Sequence, residues 1–207
     1  MTYDLKYMFR CLQLAKIANG FVAPNPMVGA VIVHNHRIIG EGYHHRYGDA
    51  HAEPVAIHSV KDKGLLKEAT LYVNLEPCSH FGKTPPCANL IVETGIPKVV
   101  IGTSDPNPKV SGRGIALLRQ AGIEVVVGVL ENECYELNKR FFIWQQEQRP
   151  FVLLKWAQSR DGYIDIKRND AQTGPVQISN LLTKQLTHKY RAQNQSIMVS
   201  TNTAVLD

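Results

Sequence analysis

His51-Ala52-Glu53 and, one strand later, Glu76-Pro77-Cys78-Ser79-His80-Phe81-Gly82-Lys83-Thr84-Pro85-Pro86-Cys87 decide how the chain is read. One imidazole and two thiols can grip a zinc ion on three sides and leave the fourth position to water. Glu53 stands two residues past the imidazole, where it can handle a proton of that water without binding the metal. A metal that acidifies water, a carboxylate that carries its proton and an open coordination position are the parts of a hydrolytic zinc deaminase site. The same residues would also serve a structural zinc, with His80 as the nearest fourth donor, or a redox pair of cysteines. Their placement favours catalysis. His-x-Glu opens one helix, Pro-Cys follows the next strand and the second Cys opens the next helix, so three donors meet at one edge of a sheet.

Upstream, Leu5, Met8, Phe9, Leu12 and Ala15 recur at helical spacing over residues 3–19, with Thr2 or Asp4 as cap and Gly20 as stop. Pro24-Asn25-Pro26 is a stiff turn. Val28 to Val33 and Arg37 to Gly42 form a hairpin through His34-Asn35-His36, and a polar loop with His44 and His45 leads to the site. His51 to Lys63 is helical, with Pro54 tolerated in the first turn. Downstream, strands are expected at Ala69–Leu75, Lys98–Gly102 and Glu124–Val129. Helices are expected from Pro86 to Gly95, from Gly114 to Gln120 and, unbroken, from Glu131 to Gln146. The dipole at the start of the helix from Pro86 to Gly95 should favour a Cys87 thiolate. The order predicts a mixed sheet covered on both faces.

The chain has 207 residues, 44% of them hydrophobic and 20% charged, as expected of a globular protein with one or two domains. No apolar run reaches the roughly 18 residues that span a bilayer, and the N-terminus lacks a basic segment followed by an apolar one. A cytoplasmic protein is expected, with no membrane partner. Cys78 and Cys87 then read as metal ligands rather than a disulfide, and Cys11 and Cys134 as buried small hydrophobes. The net charge of +5 suits an anionic ligand, but the basic residues are dispersed and no nucleic-acid partner is expected.

Polar Gln145-Gln146-Glu147-Gln148-Arg149-Pro150 marks a boundary between residues 1–147 and a second unit, 150–207. That unit should hold strands at Phe151–Trp156, up to Ile166 and at Ser196–Ser200, and a helix Ser179–Arg191 capped by Ser179. An exposed strand edge and apolar face there predict self-association, as a homo-oligomer, or local disorder after residue 150.

His-Ala-Glu with Pro-Cys resembles the cytidine deaminase superfamily, although eight residues separate Cys78 from Cys87 where that superfamily usually has two. The insert, with Pro24-Asn25-Pro26-Met27-Val28-Gly29, Gly40-Glu41-Gly42-Tyr43-His44 and Asp105-Pro106-Asn107-Pro108 before Gly112-Arg113-Gly114, is similar to the RibD family of riboflavin biosynthesis. The resemblance implies a cytidine-deaminase-like three-layer α/β/α fold with a mixed central sheet. It implies hydrolytic loss of the 2-amino group of 2,5-diamino-6-(ribosylamino)-4(3H)-pyrimidinone 5′-phosphate, giving 5-amino-6-(5-phosphoribosylamino)uracil and ammonia. His51, Cys78 and Cys87 would hold Zn2+ and Glu53 would move the proton. Asn25, His44, His80, Lys83, Thr84, Asp105 and Asn107 resemble the residues that hold the ribose phosphate and ring. Two other readings share the zinc and the glutamate: a deaminase of tRNA adenosine, and an inactive zinc-stabilised remnant.

Residues 150–207 resemble the start of a dihydrofolate-reductase-like α/β domain that uses NADPH. Lys155, Ser159-Arg160-Asp161-Gly162, Ile178-Ser179 and Thr201-Asn202-Thr203 carry the match. By resemblance Arg191 would contact substrate phosphate, and Thr203 and Asp207 the nucleotide. Gln177, Pro175 and Ser200 depart from the family pattern. Most of such a domain is absent, including its glycine-rich segment, so no NADPH-dependent reductase activity is expected of this chain by itself, whether it is a fragment or the product of a truncated reading frame.

Overall fold

The computed structural model describes residues 3–79, 85–107, 111–167 and 174–206. The chain divides into two compact units at Phe151/Val152. The first begins with helix α1 (Tyr3–Ile17), then strands β1 (Gly29–His34) and β2 (Arg37–Tyr43), helix α2 (Ala52–Ser59), a 3-10 turn (Lys63–Glu68) and β3 (Thr70–Leu75). It continues with α3 (Cys87–Thr94), β4 (Lys98–Thr103), α4 (Arg113–Gln120), β5 (Glu124–Val127), α5 (Glu131–Leu137) and α6 (Lys139–Glu147). The five strands lie in the order β2-β1-β3-β4-β5. β1 is antiparallel to β2 and β3, whereas β3, β4 and β5 run parallel.

Alternation along the strands divides the core into two layers. Ala30, Ile32, Leu71, Val73, Val99 and Ile101 face one side, with Ala52, Ala56 and Ile57 of α2, Ala88 and Ile91 of α3, and Ile115 and Leu118 of α4. Val31, Val33, Tyr72 and Val100 face the other, with Tyr7, Met8, Cys11 and Leu12 of α1 and Cys134 of α5. Cys11 and Cys134 are buried and free. The mixed three-layer sheet is therefore the expected one. The connecting turn of the hairpin is tight, with Asn35 at φ 46° and His36 at φ 60°, residue types that tolerate this region best after glycine.

Two helices depart from the expected lengths. α2 stops at Ser59 rather than Lys63, because the chain turns extended at Val60 (φ −65°, ψ 123°) and Lys63 Nζ donates to the carbonyls of Ile57 and His58. The long helix 131–146 is broken in two at Asn138 (φ −106°, ψ 19°), whose side chain serves a distant loop instead of facing solvent.

The second unit holds α7 (Leu181–Ala192) and α8 (Thr201–Leu206). Its α7 is capped by Asn180, which accepts from the Thr183 amide at 2.9 Å, not by Ser179. The strands expected at 151–156, up to 166 and at 196–200 are not present. An extended segment becomes a strand only by pairing its backbone with a neighbour, and among the described residues none in this unit does so. The incomplete dihydrofolate-reductase-like sheet is thus not seen. No described helix is long and apolar enough to cross a membrane.

At Gly29 a methyl group would collide with the Cys11 carbonyl and the Ala15 amide of α1. Both are rigid helix backbone, so Gly29→Ala must push α1 off the sheet. We expect Gly29→Ala to lower stability by about 1–3 kcal/mol, read as a shifted urea-unfolding midpoint.

Candidate active site

His51 is the residue before α2, Cys78 follows β3, and Cys87 is the first residue of α3. All three stand at the same edge of the sheet. His51 Nδ1 lies 3.6 Å from Cys78 Sγ and 3.3 Å from Cys87 Sγ, and the three donor atoms fall within 4.8 Å of one another. A tetrahedral ion with bonds of about 2.0 Å to nitrogen and 2.3 Å to sulfur sets N and S about 3.5 Å apart. The donor set and its spacing therefore fit zinc. The sequence raised His80 as a fourth donor; it lies outside the described residues.

Close packing aims α2 at this point. A methyl on Gly40 would strike Val60 and the Ala56 carbonyl, and one on Gly42 would strike the Ala56 amide and Ala52 carbonyl. The edge strand β2 thus presses its bare backbone against α2. Glu53, in the first turn, is buried. Burial pushes its carboxyl up to about 7, the Cys78 sulfur adds to this, and His51 opposes it. A carboxyl so placed exchanges its proton readily near neutrality.

The two thiols differ. The hydrogen bond from Cys87 holds the Cys78 thiol well below its ordinary range, and His51 assists. Cys78 Sγ also accepts the Cys87 amide at 3.3 Å. Cys87 is pushed up by that Cys78 thiolate and by burial. The first amide of α3 points at the Cys78 sulfur rather than at that of Cys87. A dication between the two would deprotonate both.

His44 is buried beside the cluster, its ring edge-on to His51 with centroids 5.6 Å apart. Its Nδ1 lies 3.0 Å from the Ala50 carbonyl and its Nε2 3.1 Å from Asn25 Nδ2. A proton on Nδ1 satisfies both bonds, so His44 is neutral and accepts from Asn25, in keeping with burial that lowers its pKa. Asn25 and His44 are thereby brought together next to His51. Asp105 and Asn107 share the loop after β4, where Asp105 Oδ1 accepts the Asn107 amide at 2.8 Å. Lys83, Thr84 and Asp207 lie outside the described residues. In the second unit Arg191 is exposed on α7, while Thr203 is in the first turn of α8, its amide donating to Ser200 Oγ at 3.2 Å. No hydrogen bond joins these two.

Three residues that sequence reasoning passed over hold the loops. Asn138 Oδ1 accepts the Met27 amide at 2.7 Å and its Nδ2 donates to the Met27 carbonyl at 2.9 Å. Asn74 donates to the same carbonyl at 3.1 Å and accepts the Gly29 amide at 2.8 Å. These bonds anchor the turn that carries Asn25. Glu76 accepts four backbone amides of the loop after β4 and the start of α4. Asn74 was detectable as a lone amide inside the apolar strand Leu71-Tyr72-Val73-Asn74-Leu75.

Comparison with known proteins places this geometry in context. Residues 1–103 match the family model of the cytidine and deoxycytidylate deaminase zinc-binding region. The chain is 44% identical over 204 residues to the riboflavin biosynthesis protein RibD of Aquifex aeolicus (strain VF5), covering 99% of this chain and 56% of that protein. It is 48% identical over 139 residues to the diaminohydroxyphosphoribosylamino-pyrimidine deaminase of Buchnera aphidicola subsp. Schizaphis graminum (strain Sg), covering 67% of this chain and 93% of that one. Among solved structures, the Thermotoga maritima diaminohydroxyphosphoribosylaminopyrimidine deaminase/5-amino-6-(5-phosphoribosylamino)uracil reductase superposes with a TM-score of 0.80 at 46% identity, over 90% of this chain and 52% of that one. The first unit thus has the cytidine-deaminase-like fold. The chain spans about half the length of the RibD proteins it matches.

Purified protein is expected to carry about one zinc per chain, and Cys87→Ser or His51→Ala to lose most of it, as metal analysis after dialysis would show.

Proposed function

We propose, from the premise that the chain belongs to the RibD family of diaminohydroxyphosphoribosylaminopyrimidine deaminases, that its first unit is a zinc-dependent deaminase acting in riboflavin biosynthesis. The substrate is 2,5-diamino-6-(ribosylamino)-4(3H)-pyrimidinone 5′-phosphate, a small phosphorylated pyrimidine. The observation that carries this is a buried carboxyl, Glu53, beside a His/Cys/Cys donor set with zinc spacing.

His51, Cys78 and Cys87 would hold the ion. When bound, zinc supplies the Lewis acidity that makes water nucleophilic near pH ~7. Water adds to the ring carbon bearing the 2-amino group, its oxygen becomes the carbonyl, and the amine departs as ammonia. Glu53 carries the two protons of the water in turn, the first to the ring nitrogen and the second to the leaving amine. Burial suits it to both halves of that transfer, since neither protonation state is strongly preferred near pH 7. Asn25, held by His44, and Asp105 and Asn107 are read as contacts to the ring and ribose phosphate. His80, Lys83 and Thr84 complete that set by sequence, Lys83 as a point charge for phosphate.

We read residues 1–147 as the deaminase domain and 150–207 as the beginning of a reductase domain. Arg191, Thr203 and Asp207 are its candidate contacts to substrate and nucleotide, and NADPH would bind only where the rest of such a domain is present. A cytoplasmic setting fits four cysteines that are all free, two of them in a metal-binding group.

Ammonia release from the diaminopyrimidinone phosphate by the zinc-loaded protein is the test. Turnover of free cytidine in its place would overturn the assignment. Glu53→Gln is expected to keep its zinc and lose a factor of about 10²–10⁴ in kcat.

A further inference from the structure

We propose that Glu76 is a positioning residue, whose carboxylate fixes the loop between β4 and α4 to the segment bearing Cys78 and so sets Asp105 and Asn107 for substrate. The role given to Asp105 and Asn107 rests on the function proposed above.

Glu76 is the first residue past β3 and is buried. Its amide donates to the Thr103 carbonyl at 3.0 Å, which carries the β3–β4 pairing past the end of the strand. The side chain then turns to the loop. Oε2 accepts the amides of Asp105 at 3.2 Å and Gly112 at 3.0 Å, and Oε1 those of Gly114 at 3.0 Å and Ile115 at 3.3 Å. One carboxylate therefore gathers both ends of the loop.

The start of α4 has no cap of its own. Its N-cap is Gly112, at φ 73° and without a side chain. First-turn amides have no partner within a helix, and negative charge is favoured there. Glu76 supplies both the acceptor and the charge from a different strand. A second contact brings α4 to the metal-binding segment. A methyl on Gly114 would collide with the Pro77 carbonyl, one residue before Cys78. Only a glycine lets the helix start rest on that backbone. From Glu76 the constraint passes through the Asp105 amide to Asp105 Oδ1, and from there to the Asn107 amide. The loop is thus held by hydrogen bonds to Glu76, two residues before the candidate zinc donor Cys78. A buried glutamate that served stability alone would need partners anywhere; these partners all lie in the loop and its helix.

Glu76→Gln keeps the size but turns half of the group into a donor, which faces amides that are themselves donors. The test compares wild type, Glu76→Gln and Glu76→Asp for zinc content, steady-state kinetics on the diaminopyrimidinone phosphate, and amide exchange followed residue by residue. With Glu76→Gln, zinc is expected to stay at the wild-type level, KM to rise about tenfold or more and kcat to stay within about threefold, the pattern of lost binding. Exchange at Asp105 and Gly112 should accelerate about tenfold or more while the amides of β3 and β4 stay protected. Glu76→Asp, which keeps the charge with a shorter reach, should recover part of the KM; it also serves if the glutamine variant folds poorly. Unchanged KM, with activity falling only in step with the folded fraction, would overturn the proposal. So would exchange that accelerates uniformly over the unit. If the wild type releases no ammonia, the functional assignment falls, and the exchange pattern still decides whether Glu76 anchors the loop.

Discussion

An imidazole nitrogen and two sulfurs lie within 4.8 Å of one another, and two sulfurs so close can both be thiolates only where a cation joins them. That constraint organises the first unit. Each donor sits where a regular element begins or ends: before α2, after β3 and at the head of α3. Element ends are the positions a sheet fixes well, because the strand pairing determines where its edge lies. The bare backbone of β2 at Gly40 and Gly42 lets α2 approach closely enough to complete the group.

The loops around the donors carry little regular structure, and side chains hold them. Asn138 grips the backbone of Met27, Asn74 that of Met27 and Gly29, and Glu76 grips the loop after β4. Buried backbone polar groups must be paired. A loop that offers its amides to one fixed side chain is both satisfied and placed. The cost is visible at Asn138, which interrupts what would otherwise be one helix.

Much of the first unit was legible because its information is local. Alternating apolar residues marked β1, β3 and β4, glycines marked helix ends, and His-x-Glu with two cysteines marked the donor set. The clamps were not legible, since their partners lie far away in sequence: Glu76 bonds residues 29 to 39 positions on, and Asn138 one 111 positions back. The break at Asn138 was missed for the same reason, as glutamates and leucine around it read as continuous helix. In the second unit, β-branched and aromatic residues over 151–156 suggested a strand, but propensity forms none without a partner to pair with.

The four free cysteines are divided between the layers of the sheet. Cys11 and Cys134 lie in the layer of α1 and α5, away from the donors; burial raises the Cys11 thiol well above its ordinary value and pushes that of Cys134 up to about 12. Neither offers thiolate to an electrophile, whereas half-buried Cys78 does. The molecule therefore contains its own gauge of occupancy: alkylation by iodoacetamide should begin at Cys78, and bound metal should slow it by masking the sulfur.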